Sequence, residues 1–135
     1  MMDWTKFNEL SILIIDDDHL TRELIGTILK QVPTINIYQS VSGLEALEII
    51  STIKIDMILL DLYMPQMNGR EFIKEIQKSN KFKSIPIVLI STDRLSRVEL
   101  SNIGVNYSLT KPFDFHNFLE NIYMFMEQET TINAT

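Results

Sequence analysis

The sequence has no cysteine, one tryptophan, two histidines, and only four glycines and four prolines. Without cysteine there can be no disulfide, no thiolate metal site and no cysteine nucleophile, a pattern that fits a reducing cytoplasm. An excess of positive charge is missing too: 12 Lys and Arg stand against 18 Asp and Glu, for a net charge of −6. That balance disfavours direct nucleic-acid binding, which needs a basic face to neutralise phosphates. It equally disfavours docking on anionic membranes. No apolar run approaches the roughly 18 residues of a membrane span, so no membrane insertion is expected. Met1-Met2-Asp3-Trp4 lacks the basic and apolar zones of a secretory signal. Internal repeats and low-complexity blocks are absent as well, which removes solenoid architectures.

What is present is an ordinary globular composition, 45% hydrophobic and 22% charged over 135 residues. That length suits one domain with a real core. Short apolar, β-rich runs at 12–15, 35–38, 57–60, 87–90 and 107–110 alternate with longer amphipathic stretches. Leu20, Leu24, Ile25, Ile28 and Leu29 fall at helical spacing, as do Phe72, Ile73 and Ile76. Phe115, Phe118, Leu119, Ile122, Phe125 and Met126 form a last apolar stripe, read as core packing. Five strand–helix repeats predict an α/β fold, a three-layer (βα)5 doubly wound parallel sheet with right-handed crossovers. Strands covered on both faces are nearly all apolar, as 12–15 and 57–60 are. Helix starts are expected at Asp17 or Asp18, Ser42-Gly43, Asn68-Gly69 and Asp114. Residues 1–10 are expected as an N-terminal arm whose Trp4 and Phe7 pack on the body or meet a partner, residues 11–127 as the domain, and 128–135 as a polar tail, frayed from residue 129 on.

Ligands of open α/β sheets bind beyond the carboxyl ends of the strands. There the sequence delivers Asp16-Asp17-Asp18 after the first strand, Asp61 after the third, Ser91-Thr92 after the fourth and Lys111-Pro112 after the fifth. Each group alone has a bland explanation in helix dipoles, turns or solvated charge. None of these explains four such groups on one edge. Two carboxylates about 4 to 5 Å apart repel by roughly 3 to 4 kcal/mol at an effective dielectric near 20. Asp16, Asp17 and Asp61 together therefore call for a hard divalent cation with oxygen ligands, Mg2+ first among them. Lys111 adds positive charge and Ser91 a hydrogen-bond donor, the equipment for holding and transferring a phosphoryl group. Asp61, alone on the central strand, is the natural carboxylate nucleophile. His19 and His116 have no clustered partners and read as a helix-start residue and a surface residue.

The chain resembles the receiver domain of two-component response regulators, including the small chemotaxis-type regulators, from about residue 11 to residue 126. The anchors are Ile14-Ile15-Asp16-Asp17-Asp18, the run Leu60-Asp61-Leu62-Tyr63-Met64-Pro65-Gln66-Met67-Asn68-Gly69, Ile85-Pro86-Ile87-Val88-Leu89-Ile90-Ser91, and Thr110-Lys111-Pro112-Phe113. The resemblance implies a flavodoxin-like strand order 2-1-3-4-5. It implies that Asp61 accepts a phosphoryl group from a phosphohistidine on a histidine kinase or histidine phosphotransfer domain. It further implies Mg2+ held by Asp16, Asp17, Asp61 and the backbone carbonyl of Tyr63, with Ser91 and Lys111 meeting the phosphoryl group and the Lys111-Pro112 bond cis. Output is then altered binding to a downstream protein, with no separate substrate turnover.

Three features depart from the family pattern. Ser108 stands where an aromatic switch residue is usual, and its neighbour Tyr107 belongs to the opposite face of the strand. Lys111 follows Ser91 by 20 positions, which predicts a short fourth helix. Tyr63 and Asp93 flank the acceptor with a bulky ring and an added carboxylate. An alternative resemblance, to small phosphatases of the haloacid dehalogenase group, rests on Asp16-x-Asp18 after the first strand.

Overall fold

Five short apolar segments become five parallel strands because each is bounded by residues that stop a strand and start a helix. The computed structural model describes residues 2–64 and 68–133. Pro65, Gln66 and Met67 of the second anchor, and the last two positions of the expected tail, lie outside the described residues. The strands are β1 (Leu10–Ile15), β2 (Ile35–Ser40), β3 (Met57–Asp61), β4 (Ile87–Ser91) and β5 (Tyr107–Thr110). They alternate with α1 (His19–Leu29), α2 (Gly43–Thr52), α3 (Gly69–Gln77), α4 (Arg97–Ile103) and α5 (Phe115–Asn133). All pairings are parallel, and the sheet runs β2-β1-β3-β4-β5, the order expected from the resemblance.

The pleat divides the core in two. Ile12, Ile14, Met57, Leu59, Val88 and Ile90 face the layer of α1 and α5, where Ile25, Ile28, Phe118 and Ile122 meet them. Leu13, Ile15, Ile58, Leu60 and Leu89 face α2 and α3, against Ala46, Ile50, Phe72, Ile73 and Ile76. The central strands β3 and β4 are thus buried through their apolar residues on both sides. The edge strand β2 is buried at its two ends and more open to solvent between them.

Each helix begins just past a strand end because a polar side chain there captures its free N–H groups. Asp18 accepts from Leu20, Ser42 from Glu45 and Asn68 from Glu71. Ser96 and Glu99 form a reciprocal capping box on α4. Asp114 Oδ1 accepts from the Asn117 N–H at 2.8 Å. The helix starts therefore crowd the same edge as the strand ends, and that edge carries the polar chemistry. The fourth helix has seven residues, as its spacing predicted. It stops at Gly104, whose φ of 98° is left-handed and whose Cβ position is occupied by the Gln77 amide.

Three expectations need correction. Leu20 and Leu24 share the helical spacing of the apolar residues of α1 but are 75% and 42% exposed. The stripe is narrower, formed by Ile25, Ile28 and Leu29. Phe115 likewise stands exposed at the start of α5. The polar segment after residue 127 is helical as far as it is described: α5 continues to Asn133, and the Tyr107 hydroxyl donates to Glu129 at 2.6 Å. The arm packs on the body. Residues Trp4–Phe7 form a 3-10 turn whose Trp4 and Phe7 rings meet Tyr123 edge-on at 5.1 and 5.3 Å, and Lys6 pairs with Glu127.

Candidate functional site

The site is built where β1, β3, β4 and β5 end. Asp16 follows β1 directly and is 2% exposed. Its N–H donates to the Ser40 carbonyl at the end of β2, 3.1 Å away. Its Oδ1 accepts from the Asp18 N–H at 2.9 Å, which turns the chain into α1. Its Oδ2 lies 3.8 Å from Lys111 Nζ. Asp61 ends β3 half-buried, and its Oδ1 accepts from the Tyr63 N–H at 3.2 Å. Asp17 is exposed beside them. One carboxylate oxygen each from Asp16, Asp17 and Asp61 lies within 4.8 Å of the others.

Ser91 ends β4 and is 2% exposed. Its hydroxyl accepts from the Asp93 N–H at 3.0 Å. Its carbonyl accepts from the Lys111 N–H at 2.8 Å, tying the end of β5 to the end of β4. The Lys111-Pro112 bond is cis. The loop after Asp61 is closed by Gly69, whose N–H donates to the Leu62 carbonyl at 2.9 Å. A Cβ on Gly69 would sit 2.8 Å from Leu62 Cα, so only glycine admits this approach.

Electrostatics make the cluster uncomfortable on its own. Burial, then the charge of Asp16, pushes the Asp61 carboxyl up to about 6, against the opposing pull of the Tyr63 N–H and Lys111. Asp16 is also raised, by burial first, with the Asp18 N–H and Lys111 pulling it down. A protonated acid at either position relieves the repulsion, and so does a cation. The donor set is all oxygen and carries three carboxylates within reach of one ion, which fits a hard divalent cation such as Mg2+.

Other candidates resolve differently. Asp18 is committed to helix capping: its carboxylate accepts from the Leu20 N–H at 3.3 Å and the Thr21 hydroxyl at 2.6 Å. The second acid of the phosphatase-like Asp16-x-Asp18 pair is therefore engaged elsewhere. His19 and His116 are surface residues on α1 and α5, facing Glu23 and Glu120 at 3.9 and 3.4 Å. Tyr63 is 57% exposed. Tyr107 packs on the α5 side of the sheet, stacked on Phe125 at 4.6 Å, whereas Ser108 is paired with Leu89 and belongs to the other face. One residue at the site carries no motif signal: Arg22, whose Nη1 donates to the Asp16 carbonyl at 2.7 Å. Its spacing of three from Ile25 was the available clue, since it puts the partly buried Arg22 one turn from the buried stripe of α1, on the same side of the helix.

Among the described residues no helix is long and apolar enough to cross a membrane. A protein-family model described as "Response regulator receiver domain" matches residues 12–123. The protein-glutamate methylesterase/protein-glutamine glutaminase of Treponema pallidum is 33% identical over 111 residues, which is 78% of this chain and 27% of that protein. The chain thus spans about a quarter of the length of that relative. Chemotaxis protein CheY1 of Helicobacter pylori is 29% identical over 107 residues, 77% of this chain and 86% of that one. Among solved structures, chemotaxis protein CheY4 of Vibrio cholerae superposes with a TM-score of 0.77 at 26% identity, covering 84% of this chain and 96% of that one. Strand order, converging acids and a family match that runs from β1 into α5 agree, and the chain belongs to the response regulator receiver domain family.

Proposed function

We propose that this receiver takes a phosphoryl group onto Asp61 from a phosphohistidine on a histidine kinase or histidine phosphotransfer domain in the cytoplasm, and signals by changing its binding to a downstream protein. The observation that carries this reading is the convergence of Asp16, Asp17 and Asp61 to within 4.8 Å beside the Lys111 ammonium. Asp61 is the acceptor, since it alone ends the central strand. Above pH 7 its carboxyl, pushed up to about 6, is mostly ionised and nucleophilic. An Oδ–P bond forms at Asp61 as the N–P bond of the donor breaks, and the departing imidazole keeps the electron pair and takes up a proton. Hydrolysis by water later returns the free carboxylate and inorganic phosphate, so the chain promotes its own phosphorylation and dephosphorylation but turns over no separate substrate.

Asp16, Asp17, Asp61 and the Tyr63 carbonyl are the residues to hold Mg2+. Bound there, Mg2+ supplies the positive charge that offsets the carboxylates and the phosphoryl oxygens. Lys111 contributes the second positive charge. Its backbone bond to Ser91 keeps ammonium and hydroxyl on the same edge, and the Ser91 hydroxyl is the donor that turns to the phosphoryl group.

The test is phosphorylation by acetyl phosphate, read as a gel shift in a phosphate-binding matrix. The wild-type chain shifts with Mg2+ and not with a chelator, and Asp61→Asn abolishes the shift. An undiminished shift in that variant would sink the acceptor assignment.

A further inference from the structure

Asp16 is gripped on every polar atom, and Asp17 on none of its carboxylate oxygens. The Asp16 N–H bonds Ser40, its Oδ1 is met by Asp18 and its Oδ2 faces Lys111. The Asp17 carboxylate accepts no hydrogen bond from any described residue and lies exposed. Its direction therefore depends on the peptide that joins it to Asp16. The side chain that holds that peptide is Arg22, whose Nη1 donates to the Asp16 carbonyl at 2.7 Å. Arg22 is itself anchored from the sheet: its Nε donates to Gln39 Oε1 on β2 at 3.3 Å, and its Nη2 lies 3.4 Å from His19 Nδ1. The planar fork of a guanidinium suits this, because two donors of fixed relative geometry bridge two acceptors on different elements.

We infer that Arg22, braced by Gln39, is a positioning residue for the acidic site, fixing the Asp16–Asp17 peptide so that the Asp17 carboxylate is aimed at the cation. This rests on the Mg2+ site proposed above. The sign of the effect separates positioning from plain charge. Arg22 is a cation beside a cation site, so removing it would tighten Mg2+ binding if charge alone mattered. Removing an orienting group loosens it, by tenfold or more for groups that hold metal ligands in place.

The experiment is calorimetric titration of the full chain with Mg2+ at pH 8. Arg22→Ala is expected to weaken binding roughly tenfold, the low end for such orienting groups. Gln39→Leu, which leaves the net charge untouched, is expected to weaken it by a smaller factor. Arg22→Lys keeps the charge but not the fork and falls between wild type and Arg22→Ala. Backbone amide spectra of the cation-free protein provide a second readout, with the Asp17 resonance displaced in both Arg22→Ala and Gln39→Leu. Equal or tighter Mg2+ binding by Arg22→Ala, alongside a normal wild-type titration, overturns this inference and leaves the site standing. If Arg22→Ala does not fold, Gln39→Leu decides in the same way, because its side chain is exposed near the end of an edge strand. A wild-type chain that binds no Mg2+ overturns the site and the inference together.

Discussion

Replacing Asp61 with asparagine removes the proposed phospho-acceptor, yet in the absence of divalent cations the variant is expected to be more stable than the wild type at neutral and alkaline pH. Asparagine preserves the shape of the side chain and an oxygen to accept from the Tyr63 N–H, which the carboxylate does at 3.2 Å. What it removes is a charge that folding disfavours. The Asp61 carboxyl is raised from 3.8 to about 6 by burial and by the neighbouring charge of Asp16. As pH rises, the unfolded chain therefore ionises first and the folded one later. The contribution to stability is whole below about pH 4 and is lost progressively as pH climbs through 6. Two pH units correspond to about 3 kcal/mol of lost stability above pH 7, falling to about 1 kcal/mol at pH 4.5. For a chain this size, 3 kcal/mol is roughly 10 °C in melting temperature. Urea unfolding followed by far-ultraviolet circular dichroism, in EDTA at pH 8 and at pH 4.5, measures both values. A variant no more stable than wild type at pH 8, or an advantage that does not shrink on acidification, refutes the electrostatic reasoning.

Mg2+ is expected to stabilise the wild type at pH 8 by about 2.7 kcal/mol at a hundred times its dissociation constant, read as a higher melting temperature. It should do little at pH 4.5, where Asp61 is mostly protonated; equal effects at both pH values would contradict the three-carboxylate site. Gly69→Ala forces a methyl against the Leu62 backbone, 2.8 Å from its Cα, and is expected to cost about 1 to 3 kcal/mol in urea unfolding. No measurable loss there would mean that the acceptor loop relaxes freely. Trp4→Ala, which dismantles the cluster with Phe7 and Tyr123, is expected to cost about 2 kcal/mol, and an unchanged unfolding midpoint would show that the arm only rests on α5. Beryllofluoride with Mg2+ is expected to shift the amide resonances of Ser91, Thr110 and Lys111 as well as those of the Asp61 loop. Shifts confined to that loop would mean that occupation of the site is not passed to β5.

The fold and the acidic core of the site were legible because both follow from periodic or local signals. Continuous apolar runs such as Ile12-Leu13-Ile14-Ile15 can satisfy themselves only under cover on both faces, and polar caps such as Ser42 mark helix starts without tertiary help. The acids were legible because parallel strands deliver their ends to one edge, so that sequence position after a strand becomes position in space. Leu20 and Leu24 misled for a related reason. A helix covering one edge of a sheet buries a stripe narrower than its apolar content, and Leu20 stays 75% exposed. The extent of α5 was hidden because its last turns are held by a long-range contact, Tyr107 to Glu129, that composition does not announce. Arg22 was hidden because its partner is a backbone carbonyl, which every residue possesses and no motif encodes.

The same distinction between side-chain and backbone recognition bears on how occupation of the site could be felt elsewhere. A relay based on a ring swinging on β5 has no ring to use on the α4 side, where Ser108 stands. The ring next to it, Tyr107, is fixed on the opposite side by Phe125 and Glu129. Burial and then Glu129 raise its phenol above the ordinary value, so the hydroxyl keeps the proton it donates. What does join the site to β5 is main chain: Ser91 is in register with Thr110, and the Lys111 N–H is bonded to the Ser91 carbonyl at 2.8 Å. A hydroxyl that turned toward a phosphoryl group would give up the Asp93 N–H it now accepts at 3.0 Å. That release would loosen the turn leading into α4, a helix of seven residues held at its start by the Ser96–Glu99 box and at its end by Gly104. Were Asp61 to take a phosphoryl group, the contacts that lead from it toward the outer surface would be the β4–α4 turn and the backbone strap to Lys111, with no aromatic side chain between.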